Sequence, residues 1–400
     1  MKSQILVCNC GSSSIKIDVF DSARDLAYVA SARAERLGSD EAVLRLERAG
    51  SGDETSTQPA RRDHAAALRE IATMLDAAGV FLAQDRLAVG HRVVHGGGES
   101  RPLALDGDAI RLIETNSELA PLHNPVNLIG IRLCAELFGV SQASVFDTAF
   151  HATLPDYAYT YGLPEELSRR YRIRRYGFHG SSHEYVGRAA ARALGRSFAD
   201  CRMITLHLGN GASACAIDRG RSVDTSMGFT PLEGLLMGTR SGDLDPAVPG
   251  LLSEREGLDA DSVDRLLNKS SGLKGICGHN DMRDILERAR GGDDACRLAR
   301  DVFCYRVRKY IGAYLAVLAG ADAIVFTGGI GENAAEIRAG ALNGLAFAGV
   351  RLDEERNENR NRSAAAHRIT TDAAGLPVFV VPTDEEWMIA RKTLDLFGES

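Results

Sequence analysis

Ile5-Leu-Val-Cys-Asn9-Cys-Gly11-Ser12-Ser13-Ser14-Ile-Lys16-Ile-Asp-Val-Phe20 opens the chain and decides how the rest is read. Apolar residues run from Ile5 to Val7, small polar ones follow, and alternation resumes through Ile15, Ile17 and Val19. That order predicts a strand, a tight Gly/Ser turn and a second strand. The turn supplies consecutive backbone N–H groups, three hydroxyls and Lys16, all donors to an anion. Concave runs of N–H groups hold phosphate even without a helix dipole, although a Gly-Ser hairpin can equally be only a hairpin. Met203 to Ile217 repeats the theme as strand, Gly209-Asn210-Gly211-Ala212-Ser213, strand. Two such hairpins half a chain apart predict two similarly built lobes.

Composition narrows the classes. A chain of 400 residues with 44% hydrophobic content buries a large core and divides into more than one domain. A net charge of −7 argues against a nucleic-acid binder, which would carry a basic face. No apolar run is long enough to span a bilayer, and the N-terminus shows no leader pattern, so a cytoplasmic protein without membrane partners is expected. The eight cysteines form no C-x-x-C pair, which predicts free, mostly buried thiols. Cys8 and Cys10 are expected on opposite sides of their strand.

Helical periodicity marks His64 to Ala78, Asn127 to Phe138, Glu184 to Leu194 (capped by Ser181 or Ser182), Cys296 to Leu318 and Asp384 to Phe397. Strands are expected at Leu87 to Val94, from Val145, at Ala323 to Phe326 and at Val378 to Val381. Arg48 to Pro59 reads as a surface loop, and the strongly charged Arg351 to Arg368 as a solvated loop with a strand edge. The alternation predicts an α/β fold, with an N-terminal lobe over residues 1–150, the segment 385–400 packing back on it, and a second lobe over 151–384.

Three Gly-rich turns follow predicted strands, where nucleotide phosphates usually meet a sheet. No Gly-Lys pair occurs, which excludes a Walker A loop, and the protein-kinase motifs are missing. Arg92 and Arg240 stand beside small-residue turns, where a guanidinium can grip a carboxylate or phosphate with paired hydrogen bonds; a surface salt bridge is the plainer alternative. Asp147, at a strand end, can orient one of these arginines or a metal-bound water, or simply cap a helix or turn. His179/His183 and His91/His95 have i, i+4 spacing, but zinc is disfavoured because His-Glu-x-x-His is absent. His179 suits donation to a transferring phosphoryl group, or a structural role. Asn9 and Glu385 offer oxygens of the kind Mg²⁺ takes.

Taken together, these segments resemble the acetate and propionate kinase family. The matching pieces span nearly the whole chain: Asn9 to Lys16, Gly90-His-Arg-Val-Val-His-Gly-Gly97, Pro121-Leu-His-Asn-Pro125, Phe146-Asp-Thr-Ala-Phe-His151 and Arg175-Tyr-Gly-Phe-His-Gly180. His207 to Ser213, Asp224 to Gly234, Gly238 to Asp243, Thr327 to Asn333 and Pro382-Thr-Asp-Glu-Glu386 complete the set.

The resemblance implies two duplicated actin-like (ribonuclease H-like) lobes with a nucleotide cleft, a homodimer, and Mg²⁺ (or Mn²⁺) as cofactor. It implies reversible transfer of the ATP γ-phosphoryl group to acetate, giving acetyl phosphate and ADP. Position by position, it puts Arg92 and Arg240 on acetate and the transferring group, Asp147 in support, and His179 on the phosphoryl in flight. His123 is implied to lie nearby. Asn9 and Glu385 are implied to place the metal. Ser12, Ser14, Lys16, His207, Gly209, Asn210 and Gly211 are implied to serve the phosphates. Asp281, Arg283, Gly329, Gly331 and Asn333 serve the nucleotide, and Val94, Leu122, Phe178 and Pro231 form the pocket that sets acid length. Branched Val94 resembles the acetate enzymes. Gly278-His-Asn280 departs from the usual run, which leaves adenine against guanine open. Two rivals remain: an actin-like ATP-binding module without turnover, and a kinase of the same fold for propionate or butyrate.

Overall fold

The opening stretch folds as its pattern predicts: β1 (Gln4–Gly11) and β2 (Ser14–Asp21) pair antiparallel around Ser12-Ser13, with Asn9 opposite Lys16. The computed structural model describes residues 4–50, 54–80, 87–361 and 364–398. The chain falls into two units, Met1–Ala149 with Asp384–Ser400, and Phe150–Thr383.

In the first unit the sheet continues through β3 (Ala27–Glu35), β4 (Val43–Arg48) and β5 (Glu54–Thr57). Helix α1 (His64–Ala77) leads to β6 (Leu87–Val93), β7 (Leu103–Ala104), α2 (Gly107–Thr115), α3 (Asn124–Phe138) and β8 (Ser141–Phe146). The strand order is β5-β4-β3-β2-β1-β6-β8-β7. β1 runs parallel to β6, and β6 runs parallel to β8.

Both faces of β1 are covered. Leu6, Cys8 and Cys10 pack with Ile15, Ile17 and Val19 in a core that takes in Leu68, Ile71 and Leu75 of α1. Ile5 and Val7 pack on the other side with Ile389 and Ala390 of the C-terminal helix, Glu385–Phe397. Cys8 and Cys10 therefore share a face: residues two apart in a strand always do, and the expectation of opposite sides fails on that parity. All eight cysteines are free, and all but Cys277 are buried.

The second unit opens with the short helices α4 (Asp156–Tyr159) and α5 (Glu165–Tyr171), then α6 (Gly180–Ala193). Strands β9 (Arg202–Leu208), β10 (Ala212–Asp218) and β11 (Arg221–Thr225) form an antiparallel meander. Helices α7 (Ala247–Glu256), α8 (Ala260–Lys269), α9 (Gly272–Cys277), α10 (Met282–Arg290) and α11 (Asp294–Val317) follow. The chain then forms β12 (Ala323–Thr327), α12 (Gly328–Asn333), α13 (Ala335–Leu342), α14 (Glu354–Glu358), β13 (His367–Arg368) and β14 (Val378–Val380).

The order β11-β10-β9-β12-β14-β13 matches β3-β2-β1-β6-β8-β7 of the first sheet in both sequence and direction. Each unit has three antiparallel strands, the first of which runs parallel to a fourth and the fourth parallel to a fifth. The duplication lies in topology, and this is the ribonuclease H-like lobe of actin-like proteins, twice.

Four local readings change. Arg48 to Pro59 is not all loop, because Glu54–Thr57 pairs with β4. Within Arg351 to Arg368, Asp353 accepts from Arg356 N and caps α14. The turn after β12 closes into the one-and-a-half-turn helix α12. The N-cap of α6 is His179 itself, in the left-handed region at φ 58°; neither Ser181 nor Ser182 caps it.

Close packing makes one substitution decisive. A Cβ on Gly90 of β6 would sit 2.2 Å from Thr393 Oγ1 and 3.0 Å from Ile389 Cγ2 of the C-terminal helix. Gly90→Ala should therefore destabilise the first unit by about 1–3 kcal/mol through overpacking. Urea unfolding is the check, and an unshifted midpoint would refute the packing.

Candidate active site

Polar side chains in both units gather where the parallel strands end. In the first unit, Arg92 lies near the end of β6 and Asp147 just past β8. Arg92 Nε donates to Asp147 Oδ1 at 3.0 Å and Nη2 to Oδ2 at 2.6 Å. Asp147 is buried, and its charge holds the guanidinium pKa above the ordinary value. Of the roles open to Asp147, orienting an arginine is the one these two hydrogen bonds fit.

Two asparagines of α3 tie these strand ends together. Asn127 Oδ1 accepts from Val94 N while its Nδ2 donates to the Cys10 carbonyl at 2.9 Å. Asn124 Oδ1 accepts from His95 N and its Nδ2 donates to the His95 carbonyl. Sequence reasoning assigned neither; the signal was a pair of asparagines three apart in the first turn of a helix, where they can reach back to loop backbone.

Glu385 starts the C-terminal helix, whose N-cap Asp384 accepts from Trp387 N. Burial pushes the Glu385 carboxyl up to about 7 against the pull of Arg92. The charges that act on it are those of Asp147 and Glu386 against Arg92 and Lys16, so that with Glu385 itself three carboxylates share two cations. Lys16 does not hang over the serine turn: its Nζ lies 2.5 Å from Glu386 Oε1 and 3.1 Å from Asp18 Oδ2. Ser12 and Ser14 are exposed. Val94 is half-buried, whereas Leu122 is 67% exposed. His123 occupies the N-cap of α3 without a side-chain capping bond.

In the second unit, His179, Arg240 and the Gly209-Asn210-Gly211 turn converge. A Cβ on Gly211 would lie 3.5 Å from Arg240 Nη1, 3.7 Å from His179 Cε1 and 3.8 Å from His179 Nε2. Only glycine leaves that space to something else. Arg240 Nη1 donates to the Pro231 carbonyl at 3.3 Å, and among the described residues no carboxylate pairs with it. Burial alone acts on its pKa, downward. A half-buried guanidinium without a counter-charge is costly unless an anion arrives.

His179 and His207 stack with ring centroids 4.3 Å apart. Each has Nδ1 on a serine: His179 on Ser213 Oγ at 2.9 Å and His207 on Ser182 Oγ at 2.8 Å. Phe178 is buried, and its carbonyl accepts from His151 Nε2. Among the described residues one group of three metal-capable side chains occurs, Cys8, His91 and Cys134; it takes in His91 but not His95, and neither His179 nor His183.

The same turn opens on a cavity of about 1490 Å³ lined by Gly209, Asn210, Asp281, Arg283, Gly329 and Asn333. Asp281 caps α10 and takes the Arg283 guanidinium on both oxygens, which brings its carboxyl down to about 2. Gly331 is buried beneath the cavity floor, its carbonyl held by the buried Arg338. Asn280, Glu336 and Asn357 line the cavity without having been anticipated. Asn280 lies in the run that departs from the usual pattern, which was its one signal.

Two lobes of one topology, the second opening on a nucleotide-sized cavity edged by glycine turns, define an actin-like phosphotransferase class. The chain belongs to the acetokinase family, whose model matches residues 4–391. It is 48% identical over 396 residues to an acetate kinase of Halothermothrix orenii, with 98% of each chain covered. It is 49% identical to an acetate kinase of Leifsonia xyli, with 98% of each covered. Among solved structures it resembles Porphyromonas gingivalis acetate kinase (TM-score 0.92, 40% identity, 99% of this chain and 100% of that one). It also resembles a propionate kinase of Francisella tularensis (TM-score 0.91, 38% identity, 98% and 99%).

Buried histidines make the second unit acid-sensitive. Burial lowers His151 to about 4 and His183 well below its ordinary value. Because the unfolded chain takes up these protons first, their contribution is complete above about pH 6.5 and is lost as pH falls toward 4. Glu385, held high, acts in the opposite sense over the same range, so the comparison must be between variants. His151→Asn should reduce the slope of unfolding free energy between pH 6.5 and 4.5 by up to about 1.4 kcal/mol per unit. Denaturant titrations at several pH values test this, and an unchanged slope would refute it.

Proposed function

We propose that this protein is an acetate kinase, which moves the γ-phosphoryl group of ATP directly and in line to acetate, giving acetyl phosphate and ADP, reversibly. The observation that carries the reading is Arg240, a guanidinium without a counter-charge beside His179 and the space above Gly211. Family membership supports the choice of acid and nucleotide.

A carboxylate is already a nucleophile and needs no strong base. The reaction lacks neutralisation and alignment of two anions that repel each other, and positioning with electrostatics dominates such transfers. In this reading Arg240 takes the charge that Asp147 supplies to Arg92, and His179 donates to the equatorial oxygens in flight. Arg92, held flat by two hydrogen bonds to Asp147, presents its remaining edge to acetate. Asn210 and the turn glycines cradle phosphate, and Asp281 and Arg283 border the base. The carboxamide of Asn9 and the carboxylate of Glu385 are hard oxygen donors in a region with excess negative charge, which fits a magnesium ion. Bound there, the ion supplies neutralisation of the phosphate charge. A homodimer working in the cytoplasm completes the proposal.

Hydroxylamine trapping of acyl phosphate from ATP, Mg²⁺ and acetate, propionate or butyrate tests the reading. Acetate should lead in kcat/KM, and no product from any acid would overturn it. Likeness to a propionate kinase favours the second reading, which a propionate lead would establish. Arg240→Ala and Arg92→Ala should each lose at least ~10²-fold in kcat, as when one transition-state donor is removed; near-normal turnover in either defeats its assignment. Val94→Ala should move the acetate-to-propionate ratio toward propionate by ~10-fold, the worth of about one methylene. An unmoved ratio would place the length filter elsewhere.

A further inference from the structure

A buried hydrogen-bond chain runs back from His179 through β10 and α6 to β9. His179 Nδ1 lies 2.9 Å from Ser213 Oγ, and Ser213 Oγ lies 2.8 Å from His183 Nε2. His183 Nδ1 lies 2.7 Å from Thr205 Oγ1. Ser213, His183 and Thr205 are completely buried. We propose that Ser213 and His183 are positioning residues that keep His179 a hydrogen-bond donor at Nε2 whether its ring is neutral or charged. This rests on the reading of His179 as a donor to the phosphoryl group.

Proton counting carries the argument. Ser213 has one hydroxyl proton and stands between two ring nitrogens, so it donates to one and accepts from the other. His183 is neutral in its dry site, so one of its nitrogens donates and the other accepts. The chain can therefore run in only two senses. In the first, Thr205 donates to His183 Nδ1, His183 Nε2–H donates to Ser213, and Ser213 donates to His179 Nδ1. The neutral His179 ring then carries its proton on Nε2. In the second, every donor is reversed: His179 Nδ1–H donates to Ser213, Ser213 to His183 Nε2, and His183 Nδ1–H to Thr205. That sense suits the imidazolium, which has a proton on each nitrogen. Both senses satisfy every buried group, and the neutral ring is assigned to the first: in the second a neutral His179 would carry its proton on Nδ1 and leave Nε2 an acceptor, so only the imidazolium presents an Nε2–H there.

Two further observations agree. His179 holds a left-handed backbone at φ 58°, a strained conformation that persists only where surroundings impose it. Its ring is also fixed in rotation by the stack on His207. The titratable groups facing the chain are His207 from β9, Arg240 beside Gly211, and His151, whose ring centroid is 5.6 Å from that of His183. All three are cationic or neutral.

The test compares Ser213→Ala, His183→Leu and His183→Gln, whose amide reaches where Nε2 sits. Ser213→Ala and His183→Leu should lower kcat roughly 10-fold or more, the usual loss when an orienting partner of a histidine is removed. KM for acetate and ATP should stay within about twofold, and the ratio of variant to native kcat should fall as pH rises from 6 to 8.5. His183→Gln should restore most of the rate. Imidazole ¹⁵N shifts should show one neutral tautomer for His179 in the native chain and a mixture in Ser213→Ala. Unchanged kcat and a flat ratio in Ser213→Ala would overturn the relay, as would mixed tautomers in the native chain, a result that stands even if the variants do not fold. Full activity in His179→Ala would instead overturn the reading of His179, which separates the two failures.

Discussion

A strand covered on both faces can display a polar group only where it ends. β1 is such a strand, with one core over Leu6 and Cys8 and another over Ile5 and Val7, and in the second unit β9 and β12 are buried along almost their whole length. Several of the groups singled out by their motifs accordingly lie at the carboxyl ends of the parallel strands. Gly11 closes β1, Arg92 lies one residue before the end of β6, Asp147 follows β8, Gly209 follows β9 and Gly328 follows β12. Open α/β sheets bind their ligands at these ends for the same reason.

The two arginines illustrate how environment divides labour between identical side chains. Arg92 is satisfied in advance by Asp147 and so is held in one orientation. Among the described residues Arg240 meets a carbonyl and a thioether and no carboxylate, so its charge is left to interact with whatever enters beside Gly211. Lys16, a natural phosphate ligand by residue type, is committed to Asp18 and Glu386. A cation's role follows from the carboxylates within reach more than from its proximity to a glycine turn.

Histidines show the same dependence on surroundings. His183 and His151 look no different from His179 in the chain, yet burial removes the first two from titration, while a serine bridge gives His179 a fixed partner on Nδ1. Spacing of four residues suggested a metal pair for His179 and His183. The left-handed turn at His179 breaks the helical register on which that reading depends, and Ser213 stands between the two rings instead.

Much of the fold was legible in the chain because both-face burial writes continuous apolar runs, and glycine turns mark their ends. Ile5 to Val7, Met203 to Leu208 and Ala323 to Phe326 could be placed as strands from residue type alone, and the arginines, His179 and the glycine turns could be picked out by the motifs around them. What the chain could not declare was pairing across long separations. Asn127 reaching the Cys10 carbonyl, the serine between His179 and His183, the carboxylates that occupy Lys16, and the absence of any beside Arg240 are all contacts between residues far apart in sequence. Local periodicity and turn chemistry act over a few residues and are therefore written in the sequence itself. Proton placement, charge compensation and cavity lining depend on which distant side chains are brought together, and only the tertiary structure decides that.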